Sequence, residues 1–486
     1  MPVATEIFFL RARDHARRPP VAVTAEVTLR EVVGRMATEK ASAAVVVDGG
    51  RRPVGIVTER DIVRRATFAA PPEQPVGDLM SFPVRCIRED EHLFIAIARM
   101  RRLGHRHMPV IDGEGRLAGI LDLHDAMARA AEDMVLAIDD LTRDDSDDGL
   151  REIKAAQVRV ADTLFDANVA VGDIQATLSH VNNDIYARLL ERNLAAMAGE
   201  GLGAAPAPFA MIVMGSGGRH ENFLVPDQDY GFVVEGGADA LDEDADRWFA
   251  DLARRLSRDL DAVGIPYCTG GVMATNLKWR RTLAGWRAQV DTWCRRARVD
   301  PLLDFDIFFD FRLGWGESAL AAALREHVTE RTAGNETFLR EVYSADRDHR
   351  TALKWFGRFA TESADPAHRG KVNLKLHGIL PLVEAARLFA LRDGVPATAT
   401  RDRLAAAHAA GVLTDDEHDE LEGARRTICR LLLGRQLADF RAGAPVSSFV
   451  DPKGLTPRRK RDLRQALRAI ERLRARMRVE FGGEPL

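Results

Sequence analysis

The sequence predicts a multidomain α/β protein that ends in an all-helical domain. Three observations predict it. Residues 20–130 carry one helix–strand–turn–strand pattern twice. An apolar strand at 211–214 runs into the turn Gly215-Ser216-Gly217-Gly218, and Asp227 and Asp229 follow at i and i+2 ahead of a second apolar run. Beyond residue 336 the apolar positions recur at helical spacing, with no strand signal of comparable strength. At 486 residues the chain is too long for one ordinary core.

Composition excludes several classes. A hydrophobic content of 46% and a charged content of 29% suit a soluble globular protein. A formal net charge of −4 argues against a nucleic-acid partner. No apolar run is long enough to span a bilayer, so no membrane partner is expected. The residues after Met1 lack the basic segment and apolar core of a secretion signal. Cys86, Cys268, Cys294 and Cys429 are scattered, with neither metal-ligand spacing nor a disulfide framework. A reducing cytoplasm is the expected compartment.

The first domain is placed at 1–135. Its first copy reads as a helix at 29–40, a strand at 43–47, a turn at Asp48-Gly49-Gly50, a strand at 54–57 and a helix opening at Thr58. The second repeats this with a helix at 93–103, a strand at 107–111, a turn at 112–115, a strand at 117–121 and a helix opening at Asp122. The duplication, with Gly55-Ile56-Val57-Thr58-Glu59-Arg60-Asp61 at the end of the first copy, resembles a CBS-domain pair. That resemblance implies an adenine nucleotide as effector, with Thr58 on phosphate and Asp61 and Asp125 on ribose hydroxyls. It also implies a homodimer through the pair. A hydroxyl at a helix N-terminus suits phosphate, and a carboxylate suits a diol. Asp122 stands where a hydroxyl residue is usual and would repel phosphate, so the two sites are expected to be unequal. The plainer reading makes Thr58 and Asp122 helix caps.

Residues 136–205 show helical apolar periodicity, broken by the acidic run at 144–148, and read as a helical connector. The next domain, 206–335, alternates strands and helices. Residues i and i+2 of a strand face the same way, so Asp227 and Asp229 project together, about 6–7 Å apart. Paired carboxylates suit Mg²⁺, which takes one or two of them plus substrate phosphates. The glycine turn upstream offers backbone N–H groups to a phosphate chain.

Gly-Ser, a spacer of about ten residues and Asp-x-Asp on the next strand resemble the DNA polymerase beta-like nucleotidyltransferase superfamily. Gly215-Ser216, Gly218-Arg219, Glu221 and Asp227-Gln228-Asp229 are closer to the nucleotidyltransferases that accompany CBS domains in bacteria, relatives of the uridylyltransferase of nitrogen signalling. Blocks at 271–274, 309–312 and 374–391 extend the resemblance. It implies a third carboxylate near 304–312. There Asp306 and Asp310 share a face if the strand is regular; Asp310 is the first choice and Asp306 the reserve. It further implies an NTP substrate and two Mg²⁺ ions held by Asp227, Asp229 and Asp310. Gly215 and Ser216 would grip the outer phosphates, and Arg219, Arg312, Lys375 and Arg387 are candidates for further phosphate contact. Arg219 could instead pair with Glu221, and Arg387 with Glu384. Pro226 stands where relatives carry Ser or Thr, which removes a donor next to the acids.

Residues 336–486 then form a helical substrate-binding domain. Two further signals have bland readings: His105 and His107 as surface residues, and the basic stretch from Arg458 as the solvated face of a terminal helix. The expected function is Mg²⁺-dependent transfer of a nucleoside monophosphate to a hydroxyl acceptor, such as one on a regulatory protein. The alternative is a nucleotide-sensing signalling protein without turnover.

Overall fold

A computed structural model of the chain describes residues 11–16, 20–63, 71–123, 146–166, 168–295, 307–346, 349–354 and 357–482. Two compact units, Met1–Asp144 and Asp145–Leu486, contain them.

The first unit is built twice from the same parts. Helix α1 (Leu29–Thr38) begins where the Thr28 hydroxyl accepts from the Glu31 N–H at 3.3 Å, and it buries Leu29, Val32 and Met36 on one face. Strand β1 (Ala22–Val23) lies parallel to β2 (Ala43–Val47), which lies antiparallel to β3 (Pro53–Thr58). In the second copy β4 (Ile87–Arg88), helix α2 (Leu93–Arg102), β5 (His107–Ile111) and β6 (Leu117–Asp122) repeat the arrangement. The hairpin turns match in detail. Asp48 Oδ1 accepts from Gly50 N at 2.9 Å and Arg52 N at 2.8 Å, while Asp112 Oδ1 accepts from Glu114 N and Arg116 N, both at 2.9 Å. Strand β2 is buried on both faces, which explains its unbroken apolar run. Ala44 and Val46 pack with Val32 and Met36 of their own copy; Ala43, Val45 and Val47 pack against Leu117 and Ile120 of the other.

The second unit centres on a four-stranded sheet of order β10-β7-β8-β9. Strand β7 (Phe209–Val213) is antiparallel to both β8 (Tyr230–Val234) and β10 (Arg312–Gly316), and β8 is parallel to β9 (Arg280–Thr282). Helices α3 (Asp147–Asp166) and α4 (Val171–Gly199) precede β7, and a single turn of helix, α5 (Gly215–Gly218), follows it. Helices α6 (Glu243–Ala262) and α7 (Leu283–Arg295) flank β9 in sequence. The C-terminal helices are α8 (Ser318–Thr332), α9 (Glu336–Asp346), α10 (Leu380–Arg392), α11 (Thr400–Ala409), α12 (Asp415–Arg441) and α13 (Pro457–Gly482). Every residue of α10 from Pro381 to Leu391 is buried, so α10 is the core of this part. A short antiparallel pair, β11 (Val372–Asn373) with β12 (Phe449–Val450), sits among the helices without any sequence signal.

Two expectations change. The helices read as a connector belong to the body of the second unit, where α4 packs on α3, α6, β10 and α12. Contact on several sides is why its apolar residues are spread around the helix. The regular strand expected near 305–312 begins only at Arg312, and Phe309-Asp310 form a turn ahead of it. The alternation argument that put Asp306 and Asp310 on one face therefore has no regular strand to rest on at Asp310. Asp306 lies outside the described residues.

Gly218 holds the turn against the sheet. A Cβ on it would fall 1.9 Å from the Asp310 carbonyl oxygen and 2.7 Å from that of Val213, so the backbones meet only because the side chain is a hydrogen. Gly218→Ala is expected to destabilise the second unit by at least about 3 kcal/mol. Denaturant unfolding followed by tryptophan fluorescence checks this.

Candidate active site

The elbow starts at Gly215, whose φ of +56° places it in the left-handed region that glycine favours. A Cβ at this position would lie 2.6 Å from Asp229 Oδ2, so Asp229 sits directly against the turn. Asp227 and Asp229 stand just ahead of β8, on either side of Gln228. Gln228 between them points inward, fully buried, and its Nε2 donates to the Ser257 and Ile265 carbonyls at 2.9 and 2.8 Å. Asp227 is exposed and Asp229 half-buried.

A cavity of about 540 Å³ opens beside this pair. Ser216, Arg219, Glu221, Asp227, Lys375 and Arg425 line it, together with apolar residues of α10 and the 223–226 loop. The structure thus brings four predicted site residues, Ser216, Arg219, Asp227 and Lys375, to one cavity, with Gly215 and Asp229 directly behind. Lys375 stands at the start of a π-helical turn (Lys375–Ile379) that leads into α10. The Ser216 hydroxyl donates to Asn222 Oδ1 at 2.8 Å, and Asn222 N donates to Ser179 Oγ of α4 at 3.0 Å.

The acid pair is electrostatically unsettled. Burial raises the Asp229 pKa to about 7, and the neighbouring Asp227 charge adds to the rise. The Cys268 thiol, Lys375 and Arg219 pull the other way. Asp227 at the cavity rim with Asp229 behind it offers two carboxylates to a hard divalent cation, with substrate oxygens completing its shell. Among the described residues no cluster of three or more His, Cys, Asp or Glu side chains could hold a metal on its own.

Asp310 is the principal correction. Its carboxylate is fully buried, and four hydrogen bonds from three guanidiniums occupy both oxygens. Arg403 Nη1 and Arg387 Nε reach Oδ1 at 2.6 and 3.1 Å; Arg219 Nη1 and Arg387 Nη2 reach Oδ2 at 2.5 and 2.7 Å. Burial would push its pKa up, but Arg387, Arg403 and Arg219 outweigh burial and hold it well below the usual carboxylate range. A carboxylate so held anchors an ion cluster, and the metal-ligand role expected for Asp310 does not fit this position. Arg387 and Arg312 are engaged within the protein. Arg387 serves Asp310, and Arg312 donates to Thr398 Oγ1 at 3.2 Å. Arg219 does pair with Glu221, at 2.9 Å, while also reaching Asp310.

Sequence reasoning missed the residues that brace the elbow. Thr398 Oγ1 donates to the Gly218 carbonyl at 2.9 Å, and Thr400 donates to the Glu221 carboxylate from N and Oγ1 at 2.7 and 3.0 Å. Nothing local marks them, or Arg403. Cys268 had a faint signal, since it stands in the polar stretch leading to the 271–274 block.

In the first unit, Thr58 and Asp61 close a capping box, with Thr58 Oγ1 donating to Asp61 Oδ2 at 2.7 Å. They line a cavity of about 780 Å³ with Arg60, Arg85, Arg106 and His107. Asp122 of the second copy is paired with Arg106 at 3.2 Å and His107 at 3.1 Å. Asp125 lies outside the described residues.

Two outcomes follow from these charges. Asp310→Asn leaves the buried Arg387 and Arg403 guanidiniums without their counter-charge and is expected to destabilise the second unit by about 3–5 kcal/mol in denaturant unfolding. Because the folded-state pKa of Asp310 is depressed, this stability is present at neutral pH and lost as pH falls through the acid range. At the acid pair the sign reverses. A proton on Asp229 competes with a cation, so Mn²⁺ affinity followed by electron paramagnetic resonance should rise between about pH 6 and about pH 8.

Comparison with known proteins matches this layout. Residues 155–300 match the family described as "Putative nucleotidyltransferase DUF294", and residues 336–481 match "Putative nucleotidyltransferase substrate binding domain". Residues 12–67 and 76–132 each match the CBS domain. Among curated proteins, an uncharacterised 17.7 kDa protein of Acidianus ambivalens is 37% identical over 112 residues, covering 23% of this chain and 67% of that protein. An uncharacterised Methanopyrus kandleri protein is 32% identical over 114 residues, 23% of this chain and 58% of its own length. The inosine-5′-monophosphate dehydrogenase of Methanocaldococcus jannaschii is 31% identical over 109 residues, and the chain spans only 21% of that enzyme. Among solved structures, a CBS domain protein of Pyrobaculum aerophilum complexed with AMP is 28% identical, covering 27% of this chain and 98% of that one with a TM-score of 0.24. With CBS domains, a nucleotidyltransferase domain and its substrate-binding domain matched in that order, the chain belongs to the CBS-domain-associated nucleotidyltransferase family.

Proposed function

We propose that the second unit transfers a nucleoside monophosphate from an NTP to a hydroxyl acceptor, with Mg²⁺ required. The observation that supports this best is the Asp227–Asp229 pair set against a glycine elbow at the rim of a cavity of about 540 Å³. Asp227 and Asp229 would hold Mg²⁺, which when bound neutralises phosphate charge and makes an acceptor hydroxyl more acidic. The residues of the chain supply the rest. Lys375 and Arg219 offer positive charge to the triphosphate. Ser216 offers its hydroxyl once it turns from Asn222. The apolar wall of Ile379, Leu380 and Val383 excludes water and offers a surface to a base. The acceptor hydroxyl gives its proton to water, its oxygen forms a bond to the α-phosphorus, the α–β bridging bond breaks, and pyrophosphate leaves with the electron pair.

In the first unit, the cavity lined by Thr58, Asp61 and three arginines has the charge and the hydroxyl that a nucleotide phosphate requires. An adenine nucleotide bound there is the proposed effector. Asp122, already paired with Arg106 and in contact with His107, leaves the second copy the weaker site.

A second reading is favoured by one observation, the enclosure of Asp310 by arginines. With two free carboxylates in place of three, the site could bind a magnesium-bound NTP and signal without turnover. Incubation of the protein with each α-labelled NTP and Mg²⁺ in a cell lysate separates the two. Label on a macromolecule, lost completely in Asp229→Asn, is the expected result. NTP binding by the wild type without any labelling or pyrophosphate release would leave the sensing role.

A further inference from the structure

By charge alone Asp122 would repel a phosphate, yet its contacts point to another use. Register pairs it with His107 across β5 and β6, so the two side chains rise from one face. Asp122 Oδ2 accepts from Arg106 Nε at 3.2 Å and lies 3.1 Å from His107 Nε2. The same His107 nitrogen is 2.7 Å from Ser42 Oγ of the first copy. Ser42, Arg106 and His107 all line the cavity of about 780 Å³ that contains Thr58 and Asp61. Asp122 therefore touches two residues of the second copy that form part of the first copy's cavity.

The contact with Arg106 leaves a usable fork. Its Nε is engaged by Asp122, while Nη1 and Nη2 make no hydrogen bond among the described residues. The Arg106 side chain is 56% exposed, so those two groups remain open to a ligand. A guanidinium held at Nε presents its terminal N–H groups in a plane that suits phosphate oxygens. A long side chain held in advance also loses less rotamer freedom when the ligand arrives. The first copy supplies an internal comparison. Thr58 stands in the register of Asp122, and Ser42-Ala43 stand in that of Arg106-His107. The acid occurs in the copy that has the basic pair to hold.

We infer that Asp122 is a positioning residue for the first copy's nucleotide site: it holds Arg106 so that the terminal guanidinium nitrogens meet a phosphate of the bound nucleotide. This rests on the adenine-nucleotide reading of that cavity given above. It gives the acid of the second copy a favourable part in binding at the first.

The test is equilibrium binding of AMP to the full-length protein by titration calorimetry, with EDTA present. Asp122→Ala is expected to weaken binding about fivefold and Arg106→Ala about tenfold. In the Arg106→Ala background, Asp122→Ala should add no further loss, because the residue it acts through is gone. A merely structural role would instead weaken both backgrounds equally, and that result overturns the assignment. Unchanged or tighter binding in Asp122→Ala, the outcome of simple charge repulsion, also overturns it. Asp122→Asn keeps the shape without the charge; it should bind AMP more weakly than wild type, and it decides the same question if the alanine variant does not fold. A wild type that binds no AMP, or AMP binding that Asp61→Ala leaves untouched, overturns the nucleotide reading of the cavity, which is a separate outcome.

Discussion

One buried carboxylate holds the second unit in its working shape. Asp310 has no solvent contact, and three arginines from three different segments converge on its two oxygens. Desolvating an isolated carboxylate is prohibitive, so this arrangement stands only because the guanidiniums are in place with hydrogen-bond geometry. Arg219 comes from the end of the elbow, Arg387 from the core helix α10 and Arg403 from α11. Arg219 also binds Glu221, and Glu221 binds Thr400 at the start of α11. The elbow is thus clamped between the sheet and the helical domain by two carboxylates, so the C-terminal helices are structurally part of the elbow end of the sheet.

The same physics runs in opposite directions at two aspartates of this site. Both are withdrawn from water, which alone raises a carboxylate pKa. At Asp310 the neighbours are arginines, and the net result is a deep depression. At Asp229 burial is joined by the charge of another carboxylate, Asp227, and the net result is a rise to about 7. One acid is spent on structure, fully neutralised. The other keeps an unmet demand for positive charge where a triphosphate and a cation would enter. That contrast, rather than the number of acids in the motif, distinguishes a ligand site from a scaffold.

The first unit shows how a duplicated fold carries unequal chemistry. Its two hairpins share strand order, Asp-capped turns and even the position of the register shift. They differ at the residue that ends the outer strand. Thr58 enters a capping box, whereas Asp122 is drawn into an ion pair with Arg106 and His107. Backbone pattern survived duplication while the side chain at the helix start changed the charge of the turn.

Periodicity and spacing alone made the repeat, the glycine turn and the Asp227–Asp229 spacing legible, and the repeat and the turn stand in the structure. Each is a local property: alternation in extended backbone, a glycine at positive φ, a run of apolar residues. What stayed hidden was every partnership across long sequence distance. The arginines that claim Asp310 lie 91, 77 and 93 residues away, and Gln175 meets Glu221 across 46. Local pattern could not show that β10 starts two residues after Asp310, and that start decides whether this acid faces a cation or a cage of guanidiniums. The sequence by itself determined which side chains leave each element and in which direction. Only the packing of elements decided what they meet, because the meeting depends on the helical domain closing over the end of the sheet.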